Sequence, residues 1–179
     1  MNDYLIWLDL EMSGLDAEKQ VILEIAVIIT DNTLEIIAQA PDIAINHSED
    51  TLNKAEAWSR HQHESSGLLE RVRQSKYDTA NAEQEILNFI SKYCEKGHCP
   101  LCGNSVWQDR RFLLRHMPRL EAFLHYRNID ISSIKELVKR WYPTVPPFKK
   151  KKSHLALSDI IESINELKYY RQRVFIPLQ

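Results

Sequence analysis

Hydrophobic and polar positions divide the chain into two unlike parts. Tyr4 to Leu10 (Tyr-Leu-Ile-Trp-Leu-Asp-Leu) is too apolar for a half-exposed strand and too short for a free helix, so a buried central strand is expected, broken at Met12-Ser13-Gly14. Val21 to Thr30 is β-branched and apolar apart from Glu24, and Asp31-Asn32 closes it with turn chemistry. Leu34 to Ile45 returns as a third strand whose latter part Pro41 demotes to an edge. The first part is therefore an antiparallel meander.

From Glu49 the chain turns polar and helix-prone, with a break at Ser65-Ser66-Gly67. Ile86, Leu87 and Ile90 mark a helix over Thr79 to Tyr93. Pro100 to Gly103 reads as a buried strand, and Asn104-Ser105 as the start of a helix that runs through Asp109 to Met117 and stops at Pro118. Ile129 to Ile131 is a short strand. Ser132 or Ser133 caps the next helix, Glu136 standing at capping-box distance from Ser133. Pro143 to Lys152 is a loop. Leu157, Ile160, Ile161, Ile164 and Leu167 define a final amphipathic helix. These five strands and their helices predict an α/β protein: a mixed five-stranded sheet flanked by helices, in a single domain over 1–179.

Composition narrows the function classes. With 23 basic and 25 acidic residues the net charge is −2, which argues against bulk polycationic duplex binding. The glycines are only Gly14, Gly67, Gly97 and Gly103, and neither common nucleotide-phosphate loop pattern can be drawn through them. Three cysteines give no disulfide framework. Neither a signal peptide nor a membrane span is expected, and the reading is a cytoplasmic protein.

The chemistry lies in acids. Asp9 and Glu11 stand at i and i+2 on the first strand and so share a face. Asp9 ends a hydrophobic strand, where something cationic must sit: a Lys or Arg partner, solvent at the strand end, or a metal. Asp109 lies one turn into a helix, a position the helix dipole alone can explain. His154 and Asp159 follow at H-x-x-x-x-D spacing, roughly 140° apart on one continuous helix, so they share a site only if His154 lies in the preceding loop. Each piece alone is ordinary. As an ordered set, four converging carboxylates imply cations, and hard oxygen ligands point to Mg²⁺ or Mn²⁺ rather than Zn²⁺. Two such ions about 3.5–4 Å apart clamp the oxygens of an in-line phosphoryl displacement, and a neutral His beside them accepts a proton from the attacking water.

The motifs around these acids sharpen the picture. Trp7 to Asp16 (Trp-Leu-Asp-Leu-Glu-Met-Ser-Gly-Leu-Asp), Cys102 to Leu113 (Cys-Gly-Asn-Ser-Val-Trp-Gln-Asp-Arg-Arg-Phe-Leu) and His154 to Arg171 resemble the three motifs of the oligoribonuclease family, within the DEDDh 3′→5′ exonucleases of ribonuclease H-like fold. The resemblance runs from Asp3 to Arg173. It implies hydrolysis of very short RNA from the 3′ end, 5′-phosphorylated dinucleotides above all, to nucleoside 5′-monophosphates. It assigns two Mg²⁺ or Mn²⁺ ions to Asp9, Glu11, Asp109 and Asp159, and the general base to His154. It further implies that Leu15 and Trp58 wedge and stack on bases, and that His63, Arg127 and Ser132 cap a 5′-phosphate. Tyr126 would reach across from the second subunit of a homodimer. Trp58 packing on a neighbouring lobe and Arg127 pairing with Asp130 are the plainer alternatives.

Other signals carry less. Cys99-Pro-Leu-Cys102 beside His98 lacks the further ligands of a structural zinc site. Lys149 to Lys152 is a solvated run with at most a weak pull on phosphate. Trp141, Tyr142 and the Tyr169-Tyr170 pair serve either an apolar interface or the core. The competing functions are a proofreading-type DEDDh exonuclease on single-stranded DNA 3′ ends and a non-catalytic nucleic-acid-binding module. The second is disfavoured because all five chemical positions are filled.

Overall fold

A computed structural model describes residues 3–150 and 155–175. Strand β1 (Leu5–Met12) runs antiparallel to β2 (Ile22–Thr30), with Leu5 opposite Thr30 and Glu11 opposite Glu24. The returning segment is two strands rather than one. β3 (Ile36–Gln39) and β4 (Ile43–Ala44) both pair with β2, and Ala40-Pro41-Asp42 separates them. Proline has no N–H to give a ladder, so it divides the strand instead of merely fraying it. The sheet thus has six strands where five were expected. On the far side of β1 lie β5 (Leu101–Gly103) and β6 (Asn128–Asp130), both parallel, for an order β3-β2-β1-β5-β6 with β4 beside β2.

The alternation of β1 separates two cores. Ile6, Leu8 and Leu10 face α4 (Thr79–Ile90), α5 (Val106–His116) and α6 (Pro118–Glu121). Leu5 and Trp7 face α7 (Ile131–Trp141) and α8 (Ala156–Arg173). Each fully buried Leu or Ile contributes about 1.5–3 kcal/mol. Trp7 is fully buried, and its indole N–H donates to Thr30 Oγ1 at 2.9 Å, so the polar edge of the ring carries no desolvation penalty. Shorter helices α1 (Glu49–Leu52) and α3 (Leu68–Gln74) pack a third apolar cluster around Leu23 and Leu68, and α2 (Ala57–Ser65) lies against α3.

Three further expectations change. Met12 continues β1 past a bulge between Glu11 and Met12, so the strand ends later than its sequence break implies. Neither Ser132 nor Ser133 caps α7. Asp130 does, accepting from Ser132 N–H, because the strand ends at Asp130, one residue earlier than expected, and its carboxylate therefore stands at the N-cap. On α8 the buried face is Ala156, Ile160, Ile164 and Tyr170, while Ile161 is exposed.

Candidate active site

Asp9 and Glu11 continue the face that carries Leu5 and Trp7, at the end of β1 where α8 begins. Asp159 sits in the first turn of α8 and enters from above the sheet. Carboxylate oxygens of Asp9, Glu11 and Asp159 all lie within 4.8 Å of one another, the one such group among the described residues. Strand alternation supplies two of these acids and the docking of α8 the third.

Asp109 is drawn in differently. β5 is only three residues long, so beyond Trp7 it leaves the edge of β1 uncovered. Asp109 fills that place from α5, accepting the Leu10 N–H on Oδ1 at 3.1 Å, and is buried. It stands beside the three-acid group rather than within it. Gly103 makes this approach possible: a Cβ there would meet Val106 Cγ1 at 2.8 Å and the Leu8 carbonyl at 3.1 Å.

The electrostatics show how the acids press on one another. Burial, then Asp109, Glu11 and Asp159, push Asp9 well above the usual carboxylate range, with Lys150 opposing. Glu11 is pushed up to about 8 by burial, then by Asp159, Glu24 and Asp109. Asp109 is pushed up to about 7 by burial, against the Leu10 N–H. No lysine or arginine among the described residues forms an ion pair with Asp9 or Glu11; Glu11 has the His63 ring at 3.8 Å. Deprotonated acids so arranged favour a cation of high charge density.

A cavity of about 510 Å³ opens over Asp9 and Asp159, with Trp58, Gln62, Asn104 and Lys150 on its walls. Trp58 is 67% exposed and lines this cavity. Leu15 lies outside the lining on a loop pinned at both ends. Its N–H donates to Glu56 Oε1 at 3.1 Å, its carbonyl accepts from Gln108 Nε2 at 2.6 Å, and its side chain projects with 67% exposure.

His63 is buried, Nε2 lying 2.9 Å from the Met12 carbonyl. Ser132 Oγ donates to Asn104 Oδ1 at 3.1 Å, which ties it to the cavity wall. Arg127 does not pair with Asp130, whose Oδ1 is taken by the N–H groups of Ser105 and Ser132; its guanidinium lies over the Tyr126 ring at 5.2 Å. Tyr126 is 72% exposed. His154 lies outside the described residues.

The Tyr169-Tyr170 pair belongs to the core: Tyr170 is buried with its hydroxyl on Glu166, and Tyr169 donates to the Pro146 carbonyl. Trp141 and Tyr142 remain exposed. Cys99 is buried and shares a hydrogen bond with Cys94, while His98 turns outward to the Lys96 carbonyl. Around the site, Glu24 and Glu166 have no role in the sequence reading, and Lys150 figures there only as part of a solvated lysine run. Lys150 pairs with buried Glu166 at 3.0 Å. Glu24 carries a signal of its own, an acid inside an otherwise apolar strand, and Glu166 carries none.

The exonuclease family model matches residues 6–167. An oligoribonuclease of Dichelobacter nodosus is 55% identical over 172 residues, covering 96% of this chain and 95% of its own. One from Hydrogenovibrio crunogenus is 53% identical over 174 residues, covering 97% and 95%. Among solved structures, an exonuclease I from Methylocaldum szegediense matches with a TM-score of 0.74 at 17% identity, over 96% of this chain. A zinc-bound E. coli exonuclease I in complex with single-stranded DNA matches with a TM-score of 0.76 at 13% identity, over 97% of this chain. The chain spans about two-fifths of the length of both, 41% in each case, so these likenesses speak to the fold. No helix among the described residues is long and apolar enough to cross a membrane.

Proposed function

The chain belongs to the oligoribonuclease family of exonucleases, and from that premise we propose that its acidic cleft hydrolyses 5′-phosphorylated RNA dinucleotides and slightly longer fragments from the 3′ end, releasing nucleoside 5′-monophosphates. The observation that carries this reading is the meeting of Asp9, Glu11 and Asp159 within 4.8 Å beneath a cavity walled by Trp58.

The donor set fits a divalent metal. It is all oxygen, it is partly buried, and Asp9 and Glu11 are raised by burial and then by acidic neighbours whose repulsion a cation relieves. We assign two Mg²⁺ or Mn²⁺ ions to Asp9, Glu11, Asp109 and Asp159. When bound, such ions offset the charge that develops on the phosphate oxygens. The chain's own groups do the rest. Asp109, tied to the Leu10 N–H, holds α5 against β1 and so keeps the acidic edge in register. His154, four residues beyond Lys150, takes a proton from the attacking water as a neutral imidazole.

Short substrates are selected by contacts at both ends. Trp58 stacks on a base and Leu15, on its pinned loop, wedges between bases; such stacking contributes about 1–3 kcal/mol per base. His63, Ser132 and Arg127 receive the 5′-phosphate, Arg127 through charge-assisted hydrogen bonds. Tyr126, exposed beside Arg127, serves the site of the second subunit in a homodimer, with Trp141 and Tyr142 available to an apolar interface. The protein acts in the cytoplasm.

The decisive test is single-turnover cleavage of a length series of 5′-phosphorylated RNAs, from two residues upward, in Mg²⁺ or Mn²⁺. Dinucleotide is expected to react fastest. Equal rates on long RNA sink the two-ended selection, and faster cleavage of single-stranded DNA favours the proofreading-type reading. Sedimentation as a monomer at working concentration removes Tyr126 from the site.

A further inference from the structure

Glu24 is a fully buried acid on β2 that no role above uses. It stands directly opposite Glu11 across the antiparallel pair, where two like charges destabilise a sheet. Ala26 and Ile28, on the same face of the same strand, are apolar and pack the core. A buried carboxylate costs several kcal/mol unless it is paired and hydrogen-bonded, so an apolar residue here would be the cheaper choice for stability alone.

Both oxygens of Glu24 are engaged. Oε1 accepts from Arg71 Nη1, and Arg71 Nη2 donates to Asp42 Oδ2 at 3.0 Å. Oε2 accepts the N–H of Ala156 at 3.0 Å. Ala156 is the first residue of α8, and Asp159 follows three residues later in the same turn. The residue that would normally cap this helix is Leu155, which offers no side-chain acceptor. Glu24 therefore supplies from the sheet, 132 residues earlier in the chain, the acceptor that the helix start lacks. One bond at that N–H sets the height and rotation of the first turn, and each residue of slip would move Asp159 by about 1.5 Å along the axis and 100° around it.

We infer that Glu24 is a positioning residue for metal binding. Arg71 holds Glu24, and Glu24 holds the Ala156 N–H, so that Asp159 meets Asp9 and Glu11. This rests on the metal-site reading above.

The test compares Glu24→Ala, Glu24→Gln and Arg71→Met with wild type. Two quantities are read: Mn²⁺ binding by calorimetry without nucleotide, well below the melting temperature, and kcat and KM on 5′-phosphorylated RNA dinucleotide at saturating Mn²⁺. Glu24→Ala is expected to weaken Mn²⁺ binding by about 10-fold or more. It should lower kcat by a similar factor and leave KM within about 3-fold. Glu24→Gln should recover part of the affinity, because an amide oxygen still accepts the Ala156 N–H. Arg71→Met should fall between wild type and Glu24→Ala. A Glu24→Ala protein that melts cooperatively and binds Mn²⁺ as tightly as wild type overturns the inference. If that variant does not fold, unchanged Mn²⁺ affinity in both Glu24→Gln and Arg71→Met overturns it instead. Wild-type protein that binds Mn²⁺ but leaves the dinucleotide uncut refutes the substrate reading and leaves the calorimetry to decide on Glu24. Wild-type protein that takes up no Mn²⁺ refutes both.

Discussion

Two groups of acids sit side by side on this sheet, and they are resolved in opposite ways. Glu24 and Asp42 share Arg71, so their charges are offset by the protein itself. Asp9 and Glu11 lie one strand over with no ion-paired arginine or lysine among the described residues, and both are raised far above ordinary carboxylates, by burial first and then by their acidic neighbours. The number of acids does not separate the groups; the cation does. Where the fold supplies its own cation, the acids hold structure together. Where burial and neighbouring acids raise carboxylates without such a pairing, the arrangement favours a cation from solution, the setting that marks a candidate functional site.

Substituting within each group should separate them most sharply. Asp9→Asn is expected to lower cleavage by about 10³-fold, roughly 4 kcal/mol of barrier, while raising the melting temperature in EDTA, because one repelling charge is gone. Lost activity with a lowered melting temperature would place Asp9 among the structural acids. Arg71→Met should act in the reverse sense on stability. Leaving Glu24 buried without its cation is expected to cost about 3 kcal/mol, the low end of the range because Arg71 is itself partly exposed, or roughly 6–12 °C. Unchanged thermal unfolding would show that Glu24 does not need Arg71.

The raised carboxyls also predict a pH dependence of definite sign. Folded Glu11 keeps its proton to about 8 and folded Asp109 to about 7, whereas the unfolded chain releases both near ordinary carboxylate values. Between those limits the folded state binds more protons, so metal-free stability falls as pH rises from about 5 to about 8. Each 1 kcal/mol lost lowers the melting temperature by about 2–4 °C. Mn²⁺ should reverse the trend, since protons compete with it for the same oxygens. A melting temperature in EDTA that climbs across this range contradicts the repulsion.

Smaller effects lie outside both groups. Trp58→Ala is expected to raise KM for dinucleotide by roughly 10-fold through one lost stack, with kcat little changed; a kcat loss without a KM change would move Trp58 from binding to positioning. Glu136→Ala removes an exposed i,i+4 partner of Arg140 and should leave the melting temperature essentially unchanged.

The meander, the helices and the acid constellation are legible in local pattern because each depends on neighbours in sequence. Alternation along Leu5 to Glu11 puts Asp9 and Glu11 on one face whatever the rest of the chain does. Less local features are left open by the sequence. Pro41 marked an interruption, yet whether the segment beyond it pairs with β2 again depends on β2 having an edge long enough to take both pieces. The Tyr169-Tyr170 pair looked equally suited to an interface and to a core until Pro146 and Glu166 took its hydroxyls. Arg127 and Asp130 are close in sequence, but Asp130 was already claimed by two backbone N–H groups.

From sequence alone come the identity of the four acids, the shared face of the first two and the motifs that carry the family resemblance, since these depend on residue type and short spacing. Tertiary structure decided which acids are offset and which are not. Glu24, Arg71 and Ala156 meet across 132 positions of chain, and Asp109 reaches Leu10 across 99. The sign of a carboxylate's contribution rests on the cations and N–H groups within a few ångströms of it, and those neighbours are chosen by packing rather than by order along the chain.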